Sequence, residues 1–350
     1  MSMEDNNKIL SIIIPTYNME KYLRKCLDSL IMNNERMEKL EVLIINDGSK
    51  DSSSQIAHEY ETKCPQTFRV IDKENGNYGS CVNRGLNEAS GKYIKVLDAD
   101  DSFNTEALSA FIDFLLCHDA DLFITDFQQV HDYDEVASTN ICTFPSNQKL
   151  LLLDYIGTDY FKFLQMHSVT YRRQNLIDIH YKQTEGISYT DAQWVFLPIY
   201  TVKTFYYCPF MLYNYLIGRE GQTMAADVFV KSIPQLIKMT IGRVNMYEQY
   251  HLSESAYRPY FLSKLSETLK FIYRYALVVD DNFIEELKSF DDEIKNSCQA
   301  YYEYSYDVVL FDKIPFKLIR MWRTSGKPTH LPILYRMLFK YLYKLSNKKH

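Results

Sequence analysis

This 350-residue chain lacks long apolar runs and paired cysteines. No stretch is long and apolar enough to span a bilayer, which argues against a helical membrane protein. The seven cysteines (Cys26, Cys64, Cys81, Cys117, Cys142, Cys208 and Cys298) are odd in number and scattered, with none at C-x-x-C spacing. That pattern argues against a disulfide framework or zinc site and for reduced thiols in a cytosol. Met1 to Lys8 is polar and leads straight into a strand, so no signal peptide is expected. No Gly-Lys-Ser/Thr follows the turn-rich stretch Glu74–Ser80, so that stretch is not a Walker loop. There is no internal repeat or low-complexity segment.

What is present is an ordinary globular composition with one charge asymmetry. Hydrophobic residues make up 46% and charged residues 24%, enough for an enlarged α/β domain with an appendage. The net charge of −6 hides a division. From Lys313 to His350 there are ten Lys or Arg and no acid, leaving 29 basic residues elsewhere against all 45 acidic ones. Pro332 to Leu345 reads as an amphipathic helix, with Ile333, Leu334, Met337, Leu338, Tyr341, Leu342 and Leu345 on one side and Arg336, Lys340 and Lys344 interleaved. Such a helix suits an anionic bilayer surface or an ordinary docking role with a solvated basic face.

The first ~125 residues alternate strand and helix with short connections, the pattern of a mostly parallel sheet with helices on both faces. Strands are expected at Leu10–Ile14 (ended by Pro15), Glu41–Ile45, Phe68–Ile71, the run from Tyr93, and Asp121–Thr125. Asn18 is a candidate cap for the first helix. From about 227 onward, apolar residues recur at helical spacing. We therefore expect a domain over 1–226, with a nucleotide-binding half to about 128 and an acceptor half over about 129–226. A helical C-terminal region with a basic tail should fill 227–350.

The most informative segment is Tyr93-Ile-Lys-Val-Leu-Asp98-Ala99-Asp100-Asp101, a strand that delivers three carboxylates. Like charges this close repel unless something positive sits against them. A hard divalent cation shared with substrate phosphates would meet that need. Asp98, Asp100 and Asp101 are thus candidate ligands for Mg²⁺ or Mn²⁺. The alternative is a solvated strand end that caps the next helix. Open α/β sheets bind ligands beyond the carboxyl ends of their strands, and the polar clusters Thr16–Asn18, Asn46–Ser49 and Asp98–Asp101 all fall there.

Pro15-Thr-Tyr-Asn18, Ile45-Asn-Asp-Gly-Ser49 with Asp51, and Leu97-Asp-Ala-Asp-Asp101, in that order, resemble family 2 of the nucleotide-sugar-dependent glycosyltransferases, which have the GT-A fold. The resemblance covers about residues 9–225. It implies that Pro15, Thr16, Tyr17 and Asn18 line a nucleotide pocket and that Asp47 hydrogen-bonds the base. Asn75 and Gly76, with Asn83 on the following helix, would approach the donor, as would Asp98, Ala99 and Asp100. The family's Arg-Asn-x-Gly reads Val82-Asn83-Arg84-Gly85 here, and Arg84 falls on a different side of the helix. The family's Glu-Asp pair reads Thr190-Asp191, making Asp191 the candidate general base, with Thr190 as a possible helix cap. Arg219 either contacts the diphosphate or pairs with an acidic loop. His167 is a weak acceptor-site candidate.

Together these imply an inverting transfer of one hexosyl or N-acetylhexosaminyl unit from a UDP-sugar. The acceptor would be a saccharide or polyprenyl-linked oligosaccharide of the cell surface. A cytoplasmic enzyme, peripheral at the inner face of a membrane, is expected. No nucleic acid partner is expected, and a homo-oligomer is open. Two other classes compete: a metal-dependent nucleotidyltransferase, whose basic N-terminal loop is absent, and a degenerate UDP-binding module. The Gln-x-x-Arg-Trp motif of processive synthases is missing.

Overall fold

The computed structural model describes residues 8–131, 135–158, 161, 164–187, 190–219, 233–311 and 316–346. Tyr189, the stretch Glu220–Thr223, Lys348 and Lys349 lie outside the described residues. The chain divides into two compact units, Met1–Val228 and Phe229–His350.

The first unit is built on one mixed sheet. Its parallel part holds β1 (Leu10–Thr16), β2 (Leu40–Asn46), β3 (Phe68–Asp72) and β4 (Tyr93–Val96), side by side as β3-β2-β1-β4. β5 (Ser102–Phe103), β6 (Leu122–His131), β7 (Glu135–Asn140), β8 (Lys149–Leu151), β9 (Val169–Arg172) and β10 (Thr204–Leu216) complete it. β9 runs antiparallel between β4 and β6, and β10 lies parallel to β6. β6 and β10 thus run in the same direction as β1–β4, so the sheet is mostly parallel as expected, with β9 the antiparallel strand inserted between β4 and β6.

β1 is entirely buried, and its side chains alternate between two covered faces. Leu10, Ile12 and Ile14 pack with residues of α1 (Leu23–Asp28), α3 (Ser53–Lys63) and α5 (Thr105–Cys117). The short α2 (Asn34–Lys39) precedes β2. Ile13 faces the other way, against Gly85 of α4 (Asn77–Glu88), where a Cβ would fall 2.4 Å from the isoleucine. The strand continues through Pro15 to Thr16, two residues past the expected end. Thr16 O accepts from Asp47 N on the β2 side, and Ile13 O accepts from Leu97 N on the β4 side. By alternation Pro15 faces the β4 side, where pairing has already stopped at Ile13, so its missing N–H costs no ladder bond.

Two short helices, α6 (Arg173–Asp178) and α7 (Asp191–Trp194), follow β9. The second unit is helical: α8 (Ile233–Gln249), α9 (Arg258–Arg274), α10 (Ile284–Ser297), α11 (Gln299–Ser305), α12 (Leu318–Thr324) and α13 (Ile333–Ser346). Asp291, fully buried, receives Arg323 at 2.6 Å and Lys327 at 2.9 Å, with the Arg323 guanidinium 3.8 Å from the Tyr302 ring centroid. No described helix is long and apolar enough to cross a membrane.

Candidate active site

Three polar turns meet at the carboxyl ends of β1, β2 and β4. Thr16 pairs in register with Asn46, so the first two turns are neighbours by construction. Asn18 sits in the left-handed region (φ 53°). Its side-chain carbonyl accepts from Lys50 N at 2.8 Å, and its own N–H donates to Ser49 Oγ at 3.0 Å. The expected helix cap is therefore corrected, because Asn18 is committed to the β2 turn and the first helix starts only at Leu23. Asp51 reinforces the lacing by accepting from Glu20 N and Ser53 N, each at 3.0 Å. Thr16 is buried, whereas Tyr17 is exposed.

Asp47 is buried and ties the β2 turn to the next loop. One carboxylate oxygen accepts from Lys73 Nζ at 2.5 Å and from Gly76 N at 2.9 Å, while the other accepts from Asn77 N at 2.9 Å. Asn75 returns the contact by donating to the Asp47 carbonyl at 3.0 Å. Lys73 also reaches Ser80 Oγ at 2.9 Å. The sequence offers no signal for Lys73, which lies 26 residues from its partner. Three hydrogen bonds therefore already fall on the two carboxylate oxygens of Asp47.

The β4 end holds the acidic trio, each member with a different partner. Tyr78 donates to Asp98 Oδ1 at 2.7 Å, and burial together with the Asp100 charge pushes Asp98 up to about 7. Asp100 pairs with Arg219, whose guanidinium lies 5.5 Å from the Tyr22 ring centroid. Asp101 is fully buried and accepts from Tyr213 hydroxyl at 2.6 Å and from Leu216 N at 2.8 Å. Burial, Asp100 and Asp98 all raise it well above the usual carboxylate range. Ala99 is buried between Asp98 and Asp100. Ligand atoms of Asp98, Asp101 and His167 lie within 4.8 Å of one another. His167 is buried in an aromatic setting, 4.7 Å from both the Tyr213 and Tyr215 ring centroids, and burial pushes it down to about 3. Burial and mutual repulsion make ionising these closely placed carboxyl groups unfavourable, and a hard divalent cation with oxygen ligands would relieve that cost.

The fourth component comes from residues 183–194. Asp191 is exposed at the first turn of α7, and its charge is among those raising Asp98 and Tyr78. Thr190 does not cap that helix; its hydroxyl donates instead to Gln183 Oε1 at 2.9 Å. Asn83 anchors the same loop. Its carbonyl accepts from Gln183 N at 2.8 Å, and its amide donates to Gln183 O at 3.0 Å and Glu185 Oε1 at 2.9 Å. Gln193 closes the loop on Thr184 by two bonds, at 2.8 and 2.9 Å. At Gly79 a Cβ would fall 2.2 Å from Thr184 O, so only glycine permits this approach. Gly186 N reaches Gly76 O at 3.0 Å. Arg84 points away and pairs with Glu88 on the surface at 2.9 Å.

Comparison with known proteins puts these features in context. Residues 11–180 match the model of glycosyl transferase family 2. An uncharacterized glycosyltransferase of Mycoplasma pneumoniae, the MG025 homolog, is 45% identical over 28% of this chain and 33% of its own length. The minor teichoic acid biosynthesis protein GgaB of Bacillus subtilis is 25% identical over 83% of this chain and 34% of its own length. This chain thus spans about a third of the length of either relative. Residues 1–349 of S. aureus TarS, solved in complex with UDP-GlcNAc, superpose with a TM-score of 0.69 at 18% identity, covering 97% of this chain and 92% of that one. That likeness concerns the fold.

Proposed function

We propose that this chain, which matches the model of glycosyl transferase family 2 over residues 11–180, moves one sugar from a nucleotide diphosphate donor to a cell-surface saccharide with inversion. The reading rests on the convergence of Asp98–Asp101, the Thr16–Asn18 and Asn46–Ser49 turns, and Asp191 at one end of the sheet. The donor is a UDP-sugar, and UDP-GlcNAc, which TarS was solved with, is the first to test. Residues 1–226 form the catalytic part, and 227–350 the helical appendage.

Within this reading Thr16, Tyr17 and Asn18, with Pro15 behind them, border the nucleotide, and Asp47 accepts from an imide N–H of the base. Asn75 and Gly76 are held beside it by Asp47 itself. Asp98, Asp100 and Asp101 would hold Mg²⁺ or Mn²⁺, the ligand atoms of Asp98 and Asp101 already lying within 4.8 Å of each other. Bound there, the cation would supply Lewis-acid neutralisation of charge on the leaving diphosphate. Arg219 contributes a fixed positive charge on Asp100.

Asp191 acts as general base. The acceptor oxygen attacks the anomeric carbon, the bond from that carbon to the diphosphate oxygen breaks, and its electron pair leaves with the nucleotide diphosphate. Asp191 takes the acceptor's proton. One displacement inverts the anomeric centre. Asn83, Gln183, Thr190 and Gln193 position the base through the loop they tie together.

The acceptor is a saccharide or a polyprenyl-linked oligosaccharide, which would place the work at the inner face of a membrane. The test is a panel of UDP- and GDP-sugars assayed for donor hydrolysis and transfer, with and without Mn²⁺. Metal-dependent turnover of a UDP-sugar with an inverted product is expected. Consumption of a nucleoside triphosphate in its place, or UDP binding with no sugar turnover, would overturn the reading.

A further inference from the structure

Among the described side chains of helix α13, Phe339 alone is buried. It stacks on Phe311 with ring centroids 5.6 Å apart, and Phe316 and Tyr335 complete the contact. At about 100° per residue, Leu334, Met337, Leu338 and Tyr341 fall on an arc away from Phe339. Their relative exposures are 84%, 69%, 48% and 61%, and Ile333 beside them is 76% exposed. Single exposed leucines are normal, but five large apolar side chains on neighbouring positions of one helix form a patch that calls for an occupant.

Charge identifies the occupant. Arg336 and exposed Lys340 flank the arc on its Ile333 side, and α13 itself carries Arg336, Lys340 and Lys344 and no acid. Lys317, Arg320, Arg323 and Lys327, by contrast, are already paired with Asp307, Asp291 and Asp292. A second copy of the same face would set cation against cation around the apolar contact, which is unfavourable. An anionic bilayer satisfies both features at once. Its acyl boundary takes Leu334, Met337, Leu338 and Tyr341, while its headgroup phosphates take the basic rim, whose long side chains can reach up to them.

We propose that α13 is an interfacial helix that seats this chain on an anionic lipid surface through Ile333, Leu334, Met337, Leu338 and Tyr341. The proposal is independent of the donor chemistry, and its test reads vesicle binding, not turnover. The full chain is sedimented with vesicles of phosphatidylcholine containing phosphatidylglycerol and with phosphatidylcholine alone. Binding should be about tenfold stronger to the anionic vesicles and should weaken at about 1 M salt, where the Debye length shrinks to about 3 Å. The double variant Leu334→Asp/Met337→Asp should lose at least about tenfold of that binding with an unchanged thermal melt, because both positions are exposed. Equal binding to both vesicle types, no binding to either, or full binding by the double variant would overturn the proposal. So would a dimer in sedimentation equilibrium that the same variant dissociates, which would give the face to a second copy.

Discussion

At the residue scale, the acidic trio is one motif divided among three tasks. Asp98 faces the site, Asp100 is matched by Arg219, and Asp101 is buried as an acceptor for Tyr213 and Leu216. The three should therefore respond differently to substitution. Asp100→Ala is expected to abolish turnover together with Mn²⁺-dependent UDP binding, checked by titration calorimetry with and without metal. Asp101→Ala removes the acceptor of the Tyr213 hydroxyl and of Leu216 N, and should cost about 1–3 kcal/mol of stability, read from a denaturant melt. Asp191→Asn should lower kcat about 10²–10⁴-fold, the usual worth of a general base. The UDP dissociation constant of that variant should stay near wild type, because Asp191 is read as touching the acceptor and not the nucleotide. If its UDP affinity falls as steeply as its kcat, the base assignment is wrong.

At the scale of elements, the site depends on how α4 meets the 183–194 loop. Asn83 sits on the helix face turned to Gln183 and Glu185, and Gly79 allows the loop's backbone to come close. Asn83→Ala removes three hydrogen bonds across this junction. We expect a stability loss of about 1–3 kcal/mol and a fall in kcat exceeding any change in UDP affinity, measured by thermal melt and steady-state kinetics. A second junction is pH-sensitive. His58 on α3 bonds Asp72 at the end of β3 at 2.9 Å and Glu61 at 2.8 Å, and these two carboxylates hold its pKa above the ordinary value. Because the folded value is the raised one, the stabilisation is complete below the unfolded pKa of about 6.5 and disappears as pH rises through the folded value. The side chain is half-exposed, so the effect should stay at or below about 1 kcal/mol. Melting curves of wild type and His58→Ala should differ at about pH 6 and converge at higher pH; a constant difference would exclude the ion pair as its source.

At the scale of the whole molecule, the first unit contains its own apolar core, so residues 1–228 alone should melt cooperatively and bind UDP. Circular dichroism and calorimetry on that fragment provide the check. Much of this unit was legible in the linear chain. β-Branched runs ending in polar turns located β1, β2 and β4, because a buried parallel strand needs continuous apolar residues and ligands gather where such strands end. The order of the three motif blocks carried the family resemblance. Asn83 shows the limit. The motif assigns it to the donor, yet its amide is fully engaged about a hundred residues further on, and no local pattern signals a partner at that distance. Lys73 on Asp47 and His167 beside Asp98 and Asp101 were hidden for the same reason.

Local chemistry was therefore enough to establish which residues end the strands, which carry charge, and which segment forms a basic amphipathic helix. Each of those properties depends on neighbours within a few positions. The division of labour among Asp98, Asp100 and Asp101 came only with the folded chain, as did the strap from Asn83 to Asp191's loop and the side of α13 left uncovered. Those outcomes depend on hydrogen-bond partners and packing faces that meet only after the backbone has closed.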